Sequence, residues 1–171
     1  MIPHRIKERF YRREPIFSFE FFPPKTPKGE TALRQAIQDL VPLDPTFVSV
    51  TYGAAGGTRE RTREIVASMQ KDFGLSVMAH VTCVGHTYEE IRKLLADYAA
   101  HGIENVLALR GDPPSGSTEW KLVMGGPEHA TDVVRIAREI GGFSIGVAGY
   151  PEKHPQAPSL EEDVRRLKEK V

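Results

Sequence analysis

Five short apolar runs recur along the chain, and each is followed by a turn-rich stretch and then by a helical pattern of apolar residues. Runs of this kind are typical of β-strands. They cover 16–22, 47–52, 76–83, 105–110 and 144–150. Strands that alternate with helices at ~30 residues per unit form a parallel sheet with right-handed crossovers. The chain is therefore either an open doubly wound α/β sheet or a (β/α)₈ barrel.

The two faces of the strands favour the barrel. In an open doubly wound sheet helices cover both faces, so its strands are apolar on both sides. The first strand instead places Phe17, Phe19 and Phe21 on one face and Ser18 and Glu20 on the other. The next two strands set Val48, Val50 and Tyr52 against Ser49 and Thr51, and Val77, Ala79 and Val81 against Met78, His80 and Thr82. One apolar and one polar face is typical of a barrel strand, so we predict a TIM-barrel fold.

The length of the chain conflicts with a complete barrel. Eight βα units typically need about 250 residues, whereas these 171 residues supply five units and end within the fifth helix. An unclosed barrel would expose two strand edges. We therefore predict one domain over 1–171, the N-terminal part of a barrel whose last units belong to a longer natural chain.

Local signals place the helix ends. Thr87-x-x-Glu90 and Ser159-x-x-Glu162 are capping-box patterns that begin the third and the last helix. The last helix carries Leu160, Val164, Leu167 and Val171 on one face. A basic leader helix is expected over 5–12, and His101 before Gly102 is expected to end the third helix.

Composition excludes several classes of protein. Lys and Arg number 23 and so do Asp and Glu, so the chain lacks the basic charge with which nucleic-acid-binding proteins neutralise phosphates. It contains neither a signal peptide nor an apolar stretch of membrane-spanning length. Its single cysteine, Cys83, excludes an intramolecular disulfide and a cysteine-based zinc framework. We expect a cytoplasmic protein that binds neither nucleic acid nor membrane.

Functional side chains are expected at the C-terminal ends of the strands, where the loops of a βα fold build the site. Polar or ionisable groups occur at all five ends: Glu20, Thr51, His80, Arg110-Gly111-Asp112 and Tyr150. Glu20 lies between aromatic residues, so we expect its carboxyl group to be desolvated. Desolvation favours the protonated form, as a general acid near neutral pH requires. The alternatives are a Glu20 that pairs with a basic neighbour and an Asp112 that only caps a turn.

Three other motifs are weaker. Gly53-Ala-Ala-Gly-Gly57 precedes a helix and offers backbone N–H groups to a phosphate, but it also fits a plain βα turn and lacks a dinucleotide fingerprint. In His80-x-x-Cys83-x-x-His86, residues three apart on a strand face opposite sides, so we predict no metal site. The loop from Tyr150 to His154 offers a ring and an imidazole, either as part of the site or as an exposed loop.

As a set, the strand motifs resemble the methylenetetrahydrofolate reductase family. They are Phe17-Ser-Phe-Glu-Phe-Phe-Pro-Pro-Lys25, Val48-Ser-Val-Thr-Tyr-Gly-Ala54, His80-Val-Thr-Cys83, Asn105-Val-Leu-Ala-Leu-Arg-Gly-Asp112 and Tyr150-Pro-Glu-Lys-His-Pro155. The match runs in order through the whole chain. It implies a flavin-containing (β/α)₈ barrel, in agreement with the strand faces.

The resemblance also implies a reaction and its residues. NADH or NADPH reduces bound FAD, which then passes hydride to methylenetetrahydrofolate in a ping-pong sequence. Glu20 matches the acid that protonates the folate, and Asp112 matches a carboxylate near the flavin that also holds the pterin. The implied FAD contacts are Thr51, Tyr52, Ala54, His80, Arg110, Gly111, Asp112, His129, Ala130, Tyr150, His154, Ala157, Asp163, Arg166 and Lys170. His129 and Arg166 depart from the residues usual in the family.

Two other functions stay open at this point. One is a barrel enzyme that acts on a phosphorylated metabolite held by the Gly53–Gly57 turn. The other is a non-catalytic fragment that retains flavin or a subunit-pairing surface. The resemblance further implies a homo-oligomer, and the sequence does not distinguish NADH from NADPH.

Overall fold

A computed structural model describes residues 5–11, 14–52, 59–112 and 123–171. Strands and helices alternate as β1 (Ser18–Phe21), α1 (Pro27–Leu40), β2 (Phe47–Val50), α2 (Arg59–Phe73), β3 (Val77–Thr82), α3 (Tyr88–Ala100), β4 (Asn105–Leu109), α4 (Ala130–Ile140), β5 (Ser144–Val147) and α5 (Leu160–Lys170). Short 3₁₀ helices cover Ile6–Glu8 and Val41–Leu43. Every strand lies inside the range predicted for it and is shorter than that range.

The strand order distinguishes the two candidate architectures. The sheet runs β1-β2-β3-β4-β5, and each strand pairs in parallel with the next one in sequence. A doubly wound sheet reverses its strand order at a switch point, whereas a barrel adds each unit beside the previous one. The chain is therefore part of a (β/α)₈ barrel, and the predicted fold class is confirmed.

The core lies between the outer face of the sheet and the helices. Val50, Val77, Ala79 and Val81 are fully buried there, as the strand faces predicted. The helices contribute Val66, Met69, Ile91, Leu95, Val133 and Ala137, all fully buried. Because apolar side chains occupy the outer face, the inner face is left for polar groups.

The N-terminal segment closes the opposite end of the sheet from the predicted site. The backbone N–H of Ile6 donates to Asn105 Oδ1 at 2.8 Å, and that of Lys7 donates to Ser144 Oγ at 2.9 Å. These bonds attach the backbone of the segment to the sheet. The predicted leader helix over 5–12 is wrong in length: among the described residues 5–11, the helical part is the 3₁₀ turn Ile6–Glu8.

The predicted helix ends hold. Thr87 Oγ1 accepts from the Glu90 N–H at 3.1 Å, and the Glu90 carboxylate accepts from the Thr87 N–H at 2.9 Å, which confirms the capping box. Ser159 Oγ accepts from the Glu162 N–H at 3.2 Å. His101 ends α3, as expected.

The apolar face of α5 is only partly covered. Leu160 and Val164 remain 46% and 43% exposed. Leu167 is the part of this face that reaches the sheet end, where a Cβ built on Gly149 would lie 3.4 Å from its Cδ2 atom. Within the described part of the chain, every helix is too short or too polar to cross a lipid bilayer.

Candidate active site

Three side chains from adjacent strands meet on the inner face of the sheet. Glu20 lies on β1, Ser49 on β2 and His80 on β3, and together we call them the Glu20 cluster. Ser49 Oγ donates to Glu20 Oε2 at 3.2 Å. His80 Nε2 lies 3.3 Å from the same oxygen, although it is not aligned for a hydrogen bond. Parallel pairing sets the register Glu20–Ser49, which places these groups side by side.

The expected desolvation of Glu20 is wrong. Its side chain is half exposed, because Phe19 and Phe21 point to the opposite face of β1 and do not enclose the carboxyl group. Phe22 lies beyond the strand and is 75% exposed. The two neighbours that do contact the carboxyl group are both buried: Ser49 and His80 are each 7% exposed.

Burial and charge act in opposite directions on His80. Loss of solvation lowers the pKa of its imidazole below the ordinary value of 6.5, and the negative charge of Glu20 opposes that change. Burial has the larger effect. His80 is therefore a largely neutral imidazole at pH 7, beside a carboxyl group that reaches solvent.

A cavity of about 610 Å³ opens beyond the C-terminal ends of β4 and β5. Every implied FAD contact from Arg110 onward lines it: Arg110, Gly111, Asp112, His129, Ala130, Tyr150, His154, Ala157, Asp163, Arg166 and Lys170. Thr51, Tyr52 and His80 are not among its lining residues, and Ala54 lies outside the described residues. The fold thus brings the later contacts together and places the earlier ones on neighbouring strand ends.

The loop after β4 approaches β3 closely. Gly111 has a φ of +95°, and a Cβ on it would lie 3.1 Å from Thr82 Cβ. The carbonyl of Arg110 accepts from the Val84 N–H at 3.0 Å and from Cys83 Sγ at 3.4 Å. This packing requires glycine at position 111.

Cys83 is not a reactive group. Burial, together with the nearby charge of Asp132, raises the pKa of its thiol to about 12. A thiol is nucleophilic and metal-binding as the thiolate. The neutral Cys83 therefore serves packing and the bond to Arg110.

The N-terminus of α4 forms one wall of the cavity. Asp132 Oδ2 accepts from the N–H groups of Glu128 and His129, both at 3.2 Å, and its Oδ1 accepts from the Tyr88 hydroxyl at 3.1 Å. These bonds fix the residues that enter α4. Ala130 and Thr131 then begin the helix at the cavity surface, where the positive end of the helix dipole favours an anion.

The loop after β5 and helix α5 form the opposite wall. The rings of Tyr150 and His154 meet edge to face at 4.7 Å. The His154 N–H donates to Asp163 Oδ2 at 2.7 Å, and Lys170 Nζ donates to the Ala148 carbonyl at 2.7 Å. Burial lowers the pKa of Lys170 below the ordinary value of 10.5, while Asp163 opposes that change.

Arg166 lines the cavity with its side chain committed to an ion pair. Its Nε donates to Glu162 Oε1 at 3.0 Å. Hydrogen bonds from Arg165 and Arg166 lower the pKa of Glu162 to about 2. A ligand phosphate that recruits Arg166 must compete with Glu162.

His86 is a buried side chain that the sequence did not assign to the site. Its Nε2 lies 3.0 Å from the Tyr52 hydroxyl, and the two rings meet edge to face at 5.8 Å. His86 Nδ1 lies 4.0 Å from Glu90 Oε2. The sequence placed His86 in a motif with His80 and Cys83 but gave no sign of its contact with Tyr52, because both residues lie beyond strand ends.

Comparison with known proteins identifies the family. A family model described as methylenetetrahydrofolate reductase matches residues 5–171. The 5,10-methylenetetrahydrofolate reductase of Escherichia coli K12 is 45% identical over 155 residues, which cover 90% of this chain and 50% of the relative. The chain belongs to the methylenetetrahydrofolate reductase family.

More distant members of the family show the same pattern of coverage. Methylenetetrahydrofolate reductase (NADH) 1 of Arabidopsis thaliana is 41% identical over 178 residues, 98% of this chain and 30% of the relative. The enzyme of Buchnera aphidicola from Schizaphis graminum is 39% identical and covers 90% of this chain and 51% of the relative. The chain thus spans about half the length of the bacterial relatives.

Proposed function

We propose that this chain is the flavin-binding part of a methylenetetrahydrofolate reductase, which reduces 5,10-methylenetetrahydrofolate to 5-methyltetrahydrofolate with NADH or NADPH. Membership of the family and the names of the relatives support the overall reaction. The observation that supports FAD as the cofactor is that every implied FAD contact from Arg110 onward lines one cavity.

The cavity fits a large anionic cofactor. Its volume of about 610 Å³ lies within the range of about 300–1,000 Å³ typical of ligand sites. Lys170, Arg110 and the N-terminus of α4 provide positive charge for a diphosphate, and Tyr150 provides an aromatic surface. When bound, FAD supplies the capacity to accept and donate hydride.

Lys170 joins the two elements that would enclose the cofactor. Its ammonium group bonds to the carbonyl at the end of β5 while its backbone lies in α5. The lowered pKa of Lys170 reflects partial removal from water, which strengthens its attraction to an anion. We assign it the role of a cationic contact.

Glu20 is the proposed proton donor to the folate. Its carboxyl group is half exposed on the inner face of the sheet, so a substrate nitrogen there is within its reach. Ser49 and His80 restrict where the carboxyl group points. The proton delivered to the ring nitrogen opens the five-membered ring of the folate.

Asp112 is the proposed second carboxylate. It is exposed and lines the cavity next to Gly111. A negative charge at that position disfavours additional electron density on a neighbouring flavin and attracts hydrogen-bond donors of a pterin. The sequence reading that Asp112 only caps a turn predicts no effect of Asp112→Asn on substrate affinity.

The phosphorylated-metabolite hypothesis depends on the Gly53–Gly57 turn, which lies outside the described residues. A fragment that retains flavin differs from the leading hypothesis in turnover, and a fragment that retains only a subunit-pairing surface differs in flavin binding as well. Both stay predictions that the following experiment separates.

The test is the visible absorption spectrum of the purified protein with FAD, followed by anaerobic addition of NADH or NADPH and then of methylenetetrahydrofolate. We expect a protein-bound flavin band that bleaches with the nicotinamide and returns with the folate. Flavin that binds and bleaches but does not return would support the fragment hypothesis. A folded protein that binds no flavin would contradict the proposed function.

A further inference from the structure

Among the residues that the structure describes, the buried His80 Nε2 atom finds no aligned hydrogen bond, although an oxygen of Glu20 lies 3.3 Å away. Buried polar atoms without a partner are rare in folded proteins, and each calls for an explanation. Because Glu20 is half exposed, its carboxyl group has room to rotate. A small rotation would align one proton between Glu20 Oε2 and His80 Nε2.

We propose that Ser49 and His80 are positioning residues for Glu20, and that Glu20 and His80 act as one proton-sharing pair on the inner face of the sheet. The inference rests on the proposed function, which gives the Glu20 proton its destination. It adds to that function a device that holds the carboxyl group and its proton before the substrate arrives.

Ser49 has the geometry of an orienting group. It is 7% exposed, and its hydroxyl donates to the Glu20 oxygen that faces His80. Strand pairing fixes Ser49 opposite Glu20. The hydroxyl therefore holds one carboxyl oxygen toward His80 while the rest of the group reaches solvent.

Burial has the larger effect on the pKa of His80, and the charge that acts on it from β1 is that of Glu20. Glu20 is the charged side chain that shifts its pKa, and the register on its other side places Leu107 beside it. From β2, Ser49 is uncharged. Removal of the Glu20 charge should therefore change the pKa that is measured for His80.

The test is a pH titration of His80 in the whole chain. Two-dimensional NMR of the ¹⁵N-labelled imidazole monitors it in wild type, Glu20→Gln and Ser49→Ala. Loss of the carboxylate should lower the His80 pKa by about 1 unit, the low end of the effect of a neighbouring opposite charge. Ser49→Ala should lower it partway, because the carboxyl group is then free to turn away. Ser49→Thr, which keeps the hydroxyl, should restore the wild-type value.

Matched controls separate pairing from general effects. The side chain of Glu139 is 47% exposed, about as much as that of Glu20, and it pairs with Arg92 on a distant surface. Glu139→Gln should therefore leave the pKa of His80 unchanged. The resonance of His101, bound to the Asp97 carbonyl at 2.8 Å, reports whether each variant is folded. Should Glu20→Gln fail to fold, Glu20→Asp keeps the charge but withdraws it, and an intermediate pKa is expected.

An unchanged His80 pKa in Glu20→Gln or Glu20→Asp would overturn the pair, and an unchanged value in Ser49→Ala would overturn the role of Ser49. The titration needs neither flavin nor folate. A coupled pair in a protein that binds no flavin would leave the pair standing and the proposed function refuted, and the converse result would do the opposite.

Discussion

The Glu20 cluster and the cavity beyond β4 and β5 are built by different means. In the cluster, three side chains project from paired strands, and their spacing is set by the sheet register. In the cavity, the walls come from loops and helix ends that are tied together by contacts such as Lys170 to Ala148 and His154 to Asp163. The first arrangement fits the proposed role of Glu20, which must deliver a proton at a fixed point. The second fits the proposed binding of a large cofactor, because loops and helix ends can adjust to a ligand.

The largest expected effect separates the two regions. In Glu20→Gln, reoxidation of the reduced flavin by methylenetetrahydrofolate should slow by about 10²–10⁴-fold, the usual contribution of a general acid. The affinity for FAD should stay the same, because Glu20 does not line the cavity. Rapid-mixing absorbance measures the rate, and Glu139→Gln serves as the control. A loss of FAD affinity in Glu20→Gln as large as its loss of rate would show that the Glu20 cluster and the cavity form one site.

Gly111→Ala should damage the cavity through backbone strain. The new Cβ would lie 3.1 Å from Thr82 Cβ, and the alanine would have to adopt a φ of +95°. We expect a loss of about 2–3 kcal/mol in the free energy of unfolding, together with weaker FAD binding. Chemical denaturation measures the first quantity and flavin titration the second.

Gly74→Ala is the matched control for that strain. Gly74 also has a positive φ, +66°, but open space where a Cβ would stand. Its loss should be about 1 kcal/mol, with FAD affinity unchanged. Equal losses at the two positions would show that the contact with Thr82 is unimportant.

Lys170→Met should weaken FAD binding about tenfold, since one hydrogen bond to a charged group contributes about 1.5–3 kcal/mol and part of it is already used on Ala148. The His80 titration should not change. Lys168→Met, an exposed lysine of the same helix, is the control and should bind FAD normally. Titration of flavin fluorescence measures the affinity for FAD. Equal affinity in the two variants would show that Lys170 does not contribute to FAD binding.

The smallest expected effect is a pH dependence of stability due to His80. Burial lowers the pKa of His80 in the folded state below 6.5, so the unfolded chain binds this proton first as the pH falls. The contribution of His80 to stability is complete above pH 6.5 and is lost as the pH falls from 6.5 toward the folded pKa. His80→Gln should flatten the unfolding free energy over that window, and an unaltered slope would contradict the burial effect.

Most of the fold was predictable from the sequence. Period-two alternation placed Val77, Ala79 and Val81 in the core, and the structure confirms all three as fully buried. The Thr87–Glu90 capping box was equally readable, because a cap depends on residues close in sequence. The leader helix was not, because its donors are taken by Asn105 and Ser144, far along the chain.

The sequence named Glu20 and His80 as candidate site residues, but it did not predict what surrounds the carboxyl group of Glu20. The flanking phenylalanines suggested a desolvated Glu20, yet neighbours along a strand point away from each other. What contacts Glu20 are Ser49 and His80, from the next two strands. The contact between Tyr52 and His86 was not predictable either, because each residue lies on a loop whose path depends on the assembled sheet.

The cavity between the ends of β4 and β5 and helix α5 is the proposed FAD site. A crystal structure of the protein with FAD tests it most directly. We predict flavin density in that cavity, in contact with Lys170 and with the N-terminus of α4, and with Glu20 left free for substrate on the inner face of the sheet. Flavin bound elsewhere on the molecule, with this cavity empty, would contradict the account.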